Sequence, residues 1–275
     1  MCKVKRKILY GVDFSGAKKA CGKIWITKTQ INQNCNLQVL DCYPVEKIAG
    51  KNQFNCYDKI VELIENAPMN TLYGFDFPLS VPEPFLKHYS NWNDFIFDFT
   101  KKYPSPDEFR RDFLELSNGV EIKRCSETIE KAPFSPYNLR LFKQTYYGIT
   151  KIVYPLLSKK SAAFLPMNEL NKNKPWVVEV CPACTLKKIS MYFPYKGRGQ
   201  EELGNRIKIL NYLAENNIFV PFSLKNDILS NYEGDALDSI IGAYSLFKSL
   251  SYGKIENSSN LKNNLVYKKE GYIFS

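Results

Sequence analysis

Three apolar runs in this sequence meet a carboxylate where a buried strand would end or cross the core. Lys7 to Asp13 is apolar on both alternating faces, with Ile8, Tyr10 and Val12 on one and Leu9 and Gly11 on the other. That pattern predicts a central strand ending at Asp13. Asp76 lies inside G-F-D-F-P-L and Glu179 interrupts W-V-V-E-V. A carboxylate among apolar neighbours is expensive to bury alone, so each acid calls for a partner or a shared purpose.

The rest of the pattern arranges these runs in one sheet. Gly22 to Thr27 and Leu37 to Cys42 alternate as two antiparallel neighbours of the first strand would. Tyr57 to Ile64 has helical spacing, and Thr71 to Phe77 is the next buried strand, stopped by Pro78. Strand-like alternation then disappears until Trp176 to Val180, a gap too long for a structureless loop. Residues 81–175 are therefore expected as a largely helical insertion between strands 4 and 5. Within it, Ser105-Pro106-Asp107-Glu108 is a helix start, with a capping serine, proline at the first position and acids at the positive end of the dipole. Trp92, Ile96, Phe99 and Tyr103 fall at helical intervals, as a base-stacking platform or a core face would, and Lys143 to Leu157 reads as a further helix. Helices also follow at Gln200 to Glu215 and from near Gly234, while the tail beyond Gly253 is polar. The expectation is a single α/β domain over residues 1–275, its mixed five-stranded sheet in the order 3-2-1-4-5 flanked by helices.

In that order the strands bearing Asp13, Asp76 and Glu179 are consecutive and parallel, about 4.8 Å apart. Asp235 and Asp238, in D-A-L-D, open the last long helix. Carboxylates brought this close repel unless a cation neutralises them. Two divalent ions about 3.5 to 4 Å apart would do so and would clamp a phosphodiester between them. Oxygen-only ligands select Mg2+ or Mn2+, with Asp13, Asp76, Glu179 and Asp238 as metal ligands. The chain has one histidine, His88, which leaves water activation by metal simpler than a Ser-His-Asp triad. Each acid also has a plainer role: Asp13 as a turn former, Asp235 and Asp238 as a capping box, Asp76 and Glu179 as partners of a buried lysine.

Lys and Arg number 38 against 28 Asp and Glu, a net charge of +10. Near the start Lys3, Lys5, Arg6, Lys7, Lys18, Lys19, Lys23 and Lys28 are opposed only by Asp13. Such a field suits a polyanion such as DNA or RNA, or simply a solubilising surface. No apolar stretch approaches the roughly 20 residues of a membrane span, and Ile8 to Val12 is too short for a signal-peptide core. A cytoplasmic location, with the eight cysteines reduced, is the expectation. Cys181 and Cys184 form a lone C-x-x-C without the further soft ligands of a structural zinc site.

Five segments in order, G-V-D-F-S-G-A from Gly11, G-F-D-F-P-L-S from Gly74, S-P-Y-N-L-R-L-F-K-Q-T-Y-Y-G from Ser135, V-E-V-C-P-A from Val178 and G-D-A-L-D from Gly234, carry a resemblance. The chain resembles the domain-of-unknown-function 429 proteins, predicted nucleases with a ribonuclease H-like fold. The resemblance implies a metal-dependent nuclease in which Asp13, Asp76, Glu179 and Asp238 are catalytic, with Asp235 a further candidate. It also implies that Arg124, Arg140, Lys143 and Gln144 face the substrate. Arg124 is followed by Cys125-Ser126 where the resemblance leads one to expect an acid. Two other functions suit the same residues. One is a nucleotide-dependent phosphotransferase of the actin and sugar-kinase type, with G-V-D-F-S-G cradling phosphate. The other is a non-catalytic nucleic-acid-binding protein of the same fold.

Overall fold

The computed structural model describes residues 7–261 and 264–275, so Lys3, Lys5 and Arg6 lie outside the described residues. The fold is α/β, a mixed sheet with helices on both faces. Its strands are β1 (Ile8–Asp13), β2 (Trp25–Ile31), β3 (Leu37–Pro44), β4 (Thr71–Phe75), β5 (Ala163–Phe164), β6 (Trp176–Glu179) and β7 (Ile218–Phe219). The order is β5-β6-β4-β1-β2-β3-β7. β1 pairs antiparallel with β2 and parallel with β4, and β4 pairs parallel with β6. The sheet thus has seven strands and not five. The additional edges, β5 and β7, are two residues long, too short to leave an alternating pattern in the sequence.

The second strand also sits later than its sequence pattern suggests. Ala20–Lys23 is a helical turn, and β2 runs on to Ile31. Thr27 and Thr29 supply its inward face. Both are fully buried, their hydroxyls bonded to Ser239 Oγ at 2.6 Å and to Leu9 O at 3.0 Å. A buried threonine satisfied in this way behaves as a core residue, which hydrophobicity alone does not reveal.

Pleating divides the core into two layers. Tyr10, Val12, Tyr73, Phe75 and Val177 face one side, against the Gln53–Glu65 helix and the aromatic residues of the 81–175 segment. Trp92, Ile96, Phe99 and Tyr103 belong to this layer and are buried, so they are core and not a stacking platform. The Pro106–Leu116 helix starts as its sequence predicts, Ser105 Oγ accepting from Glu108 N. Phe142–Gly148 continues through a π-helical stretch, Ile149–Val153, into Tyr154–Ser158.

Leu9, Leu72, Trp176 and Val178 face the other side, against the Asp235–Ser251 helix. This helix is buried nearly all round; its apolar residues alternate with small serines, and the buried Ser239 and Ser245 hydroxyls donate to Ala236 O and Ile241 O of the helix itself. It can lie directly on β1 because residue 11 is glycine. A Cβ there would come 2.0 Å from Ser239 O and 2.4 Å from Ala243 N. Even Gly11→Ala would push the helix, and the acids at its start, off the sheet.

The tail also takes part. Phe274 N donates to Glu179 O at 2.9 Å, extending the backbone pairing past β6. Among the described residues, no helix is long and apolar enough to cross a membrane. Cys21, Cys42, Cys56 and Cys125 are reduced thiols as expected, whereas Cys181 and Cys184 are joined in a disulfide and Cys35 is disulfide-bonded too. The three-residue spacing across the start of the Pro182–Lys188 helix brings the Cys181 and Cys184 Cα atoms to 5.2 Å, within bridging range.

Candidate functional site

The register of β1 with β4 pairs Val12 with Phe75, and Asp76 N donates to Val12 O at 3.0 Å. Asp13 and Asp76 are therefore neighbours at the C-terminal edge of two parallel central strands. Pleat parity puts both on the face of Leu9 and Leu72, which the Asp235–Ser251 helix covers. That helix begins over the same edge, and Asp235 and Asp238 are in its first turn.

Neither acid of D-A-L-D caps the helix. Gly234 is the N-cap, at φ 86°, and Asn231 Oδ1 accepts from Ala236 N at 3.1 Å. The capping-box alternative is thus set aside. Glycine is needed at 234 both for that φ and for space, since a Cβ would meet Tyr195 Cε2 at 2.9 Å and Lys196 Cγ at 3.0 Å. Asp238 points back to these two residues. Tyr195 Oη donates to its Oδ1 at 2.6 Å, and Lys196 Nζ lies 2.6 Å from its Oδ2. Arg206 fixes the loop from behind, donating to Tyr195 O at 2.6 Å and Gly197 O at 2.9 Å.

Charge is crowded here. Burial, then the Asp238 carboxylate, hold the Asp13 carboxyl well above its ordinary pKa, against the opposing pull of Lys196. The same causes push Asp76 up to about 8, and burial pushes Asp235 up to about 6. Asp238 in turn holds the Lys196 ammonium above the usual lysine range. Lys196, its side chain 52% exposed, contacts Asp238 and draws down the raised pKa values of Asp13, Asp76 and Asp235 in turn, so one ammonium serves four carboxyl groups. Lys196 and Tyr195 had no signal in the sequence. They sit in an irregular loop and reach the acids only through the fold.

Glu179 lies beside Asp76 and its charge adds to the rise in the Asp76 pKa, but its carboxylate is held from the other side. It pairs in register with Phe75, one residue short of Asp76, so its side chain leaves the opposite face of the sheet. There Arg124 grips both carboxylate oxygens, Nη1 to Oε2 at 2.8 Å and Nη2 to Oε1, while Leu79 N donates to Oε2 at 3.0 Å. Arg124 also bonds Glu127 Oε1 and Glu270 O. It is fully buried, which contradicts its expected role facing substrate phosphates. Burial opposes its charge, but Glu127 and Glu179 outweigh it and hold the guanidinium pKa above its ordinary value. The acid missing directly after Arg124 is supplied one helical turn on, by Glu127. Glu179 does have a buried ion-pair partner, an arginine where a lysine was expected.

The other expected substrate contacts lie on the open side. Gln144 donates its side-chain amide to Asp76 O, tying the Phe142–Gly148 helix to the end of β4. Arg140 and Lys143 are exposed on the same segment, the Arg140 guanidinium 5.5 Å from the Phe134 ring centre. A cleft of about 490 Å³ opens over Asp76, Asp238 and Lys196, with Phe134, Tyr192 and Phe193 in its walls. Of the early basic residues, Lys18 and Lys19 are exposed, and Lys23 is paired with Glu233 at 2.6 Å.

The donor set around the ammonium is oxygen only, which suits a hard divalent ion. Among the described residues, no three or more His, Cys, Asp and Glu side chains hold a metal-binding arrangement as they stand. Lys196 supplies the cation in this arrangement, and a metal ion would have to displace it. Comparisons with family models, with curated proteins and with solved structures found no match to this chain.

Proposed function

We propose that this protein is a divalent-metal-dependent nuclease that hydrolyses phosphodiester bonds, with a ribonuclease H-like arrangement of acids at the ends of β1 and β4 and the start of the Asp235–Ser251 helix. The observation that carries the reading is the gathering of Asp13, Asp76, Asp235 and Asp238, from three distant parts of the chain, around one displaceable ammonium. Such repulsion costs stability and has no structural use in a core that could have been apolar.

Asp13, Asp76 and Asp238 would hold Mg2+ or Mn2+, which when bound supplies Lewis-acid stabilisation of the phosphoryl oxygens and a more acidic water. Asp235, half-buried at the rim, orients the entering water. Lys196, on its long exposed stem, leaves Asp238 and meets a non-bridging phosphate oxygen, keeping the cleft neutral while the strand is bound. Arg140 and Lys143 hold neighbouring phosphates from the helical side. Glu179 and Arg124 have a positioning role. Their ion pair braces Leu79 and the turn that follows Asp76.

The test is incubation of the purified full chain with a panel of labelled DNA and RNA, single-stranded, paired and branched, in Mg2+, Mn2+ or EDTA. Cleavage that needs the metal supports the reading. Binding without cleavage in every buffer favours a non-catalytic nucleic-acid-binding protein.

A further inference from the structure

The cleft over the acids has a smaller neighbour. A hollow of about 210 Å³ lies beyond Phe134, and Asp76, Pro133, Phe134 and Ala183 border both spaces. Phe77, Leu141 and Val180 give it apolar walls, while Arg140 and Gln144, together with the Arg124-paired Glu127 and Glu179, contribute polar groups. An apolar cavity of about 150 Å³ is enough to hold benzene. This one therefore has room for one planar ring system with its exocyclic groups, and none for a stacked pair. The Phe134 ring supplies a stacking wall that already carries a guanidinium.

Outside, Tyr192 and Phe193 are exposed along the larger cleft, with Lys187 Nζ 5.1 Å from one ring centre and Lys208 Nζ 5.9 Å from the other. Aromatic rings interleaved with cations are what a single strand needs for base stacking and phosphate neutralisation. A paired base can reach the hollow only by leaving its helix, which costs a few kcal/mol.

We propose that the hollow receives one unstacked nucleobase next to the scissile phosphodiester, which makes single-stranded nucleic acid, or a duplex with an unpaired nucleotide, the substrate class. This rests on the nuclease reading for what happens at the acids, but base capture itself needs neither metal nor cleavage. The ring is common to DNA and RNA, so the experiment carries both.

The test is binding of oligonucleotides containing 2-aminopurine, whose fluorescence reports unstacking, to the full-length Asp13→Asn protein in EDTA. DNA and RNA single strands, a fully paired duplex and 2-aminopurine ribonucleoside monophosphate are separate arms. The expected result is a fluorescence change with at least one single strand, bound about tenfold more tightly than the duplex. Leu141→Trp, which fills the hollow, and Phe134→Ala, which removes its wall, should each weaken single-strand binding about tenfold. Melting temperatures identify which of the two folds normally. Equal affinity for strand and duplex overturns the proposal, as does wild-type binding by a normally folded variant, or the monophosphate alone binding as tightly as the strand. Metal-dependent cleavage by the wild type with no single-strand preference sinks only this proposal. The expected binding pattern with no cleavage under any metal sinks only the nuclease reading.

Discussion

Lys196 Nζ lies 2.6 Å from Asp238 Oδ2, and that contact joins a surface loop to the start of the most deeply buried helix. It also gives the acids of β1 and β4 their nearby positive charge, since Lys196 opposes the upward pKa shifts of Asp13, Asp76 and Asp235 alike. On the proposed nuclease reading, a divalent ion would take over this role from the ammonium.

Stability should depend on pH through this cluster. Asp76 has a folded pKa of about 8 and Asp235 of about 6, both above the ordinary 3.8. Between those limits the folded protein keeps protons that the unfolded chain has lost, so their contribution to stability falls as pH rises. In EDTA the melting temperature should fall from about pH 5 to about pH 8.5, and Asp76→Asn should flatten the upper part of that fall. A melting temperature that rises over this range in the wild type would contradict the raised pKa values.

Asp13→Asn should abolish turnover while leaving the metal-free protein as stable as the wild type or more so, because it removes one charge from a repelling group. Thermal melts in EDTA together with a cleavage assay check both halves. Full activity in this variant removes Asp13 from the catalytic set.

Much of this arrangement was legible in the sequence, and the failures have physical causes. Asp13 and Asp76 were readable because parallel strands with apolar faces fix where an acid at the C-terminal edge must lie. Glu179 was expected beside them, but its side chain turns to Arg124 on the other face, because sequence gives the strand and not its register. One residue of offset against β4 reverses the face of every side chain. Arg124 carries no mark that separates a buried arginine from a phosphate-binding one until Glu127, Glu179 and Glu270 are placed around it. Lys196 and Arg206 act from a loop and a neighbouring helix brought to the acids by tertiary packing alone. The two-residue edge strands likewise depend on partners distant along the chain.

Arg124→Met should destabilise the fold by about 3 to 5 kcal/mol, because it leaves Glu179 and Glu127 buried without their partner. Chemical denaturation measures the loss. A variant of wild-type stability with weakened nucleic-acid binding would return Arg124 to the substrate.

Arg140→Ala should weaken binding across sequences and reduce the salt slope of log K by about 1, with metal affinity unchanged. Binding isotherms at several salt concentrations show this directly. An unchanged slope would mean that Arg140 serves only to cover Phe134.

The acid cluster is tested most directly by the rate at which the full chain cleaves a labelled single-stranded oligonucleotide in Mn2+, with Asp13→Asn, Asp76→Asn and Asp238→Asn measured beside the wild type. The expected result is metal-dependent cleavage by the wild type, none in EDTA, and a loss of about a hundredfold or more in each variant. Wild-type cleavage that persists in EDTA, or variants that keep the wild-type rate, would contradict it.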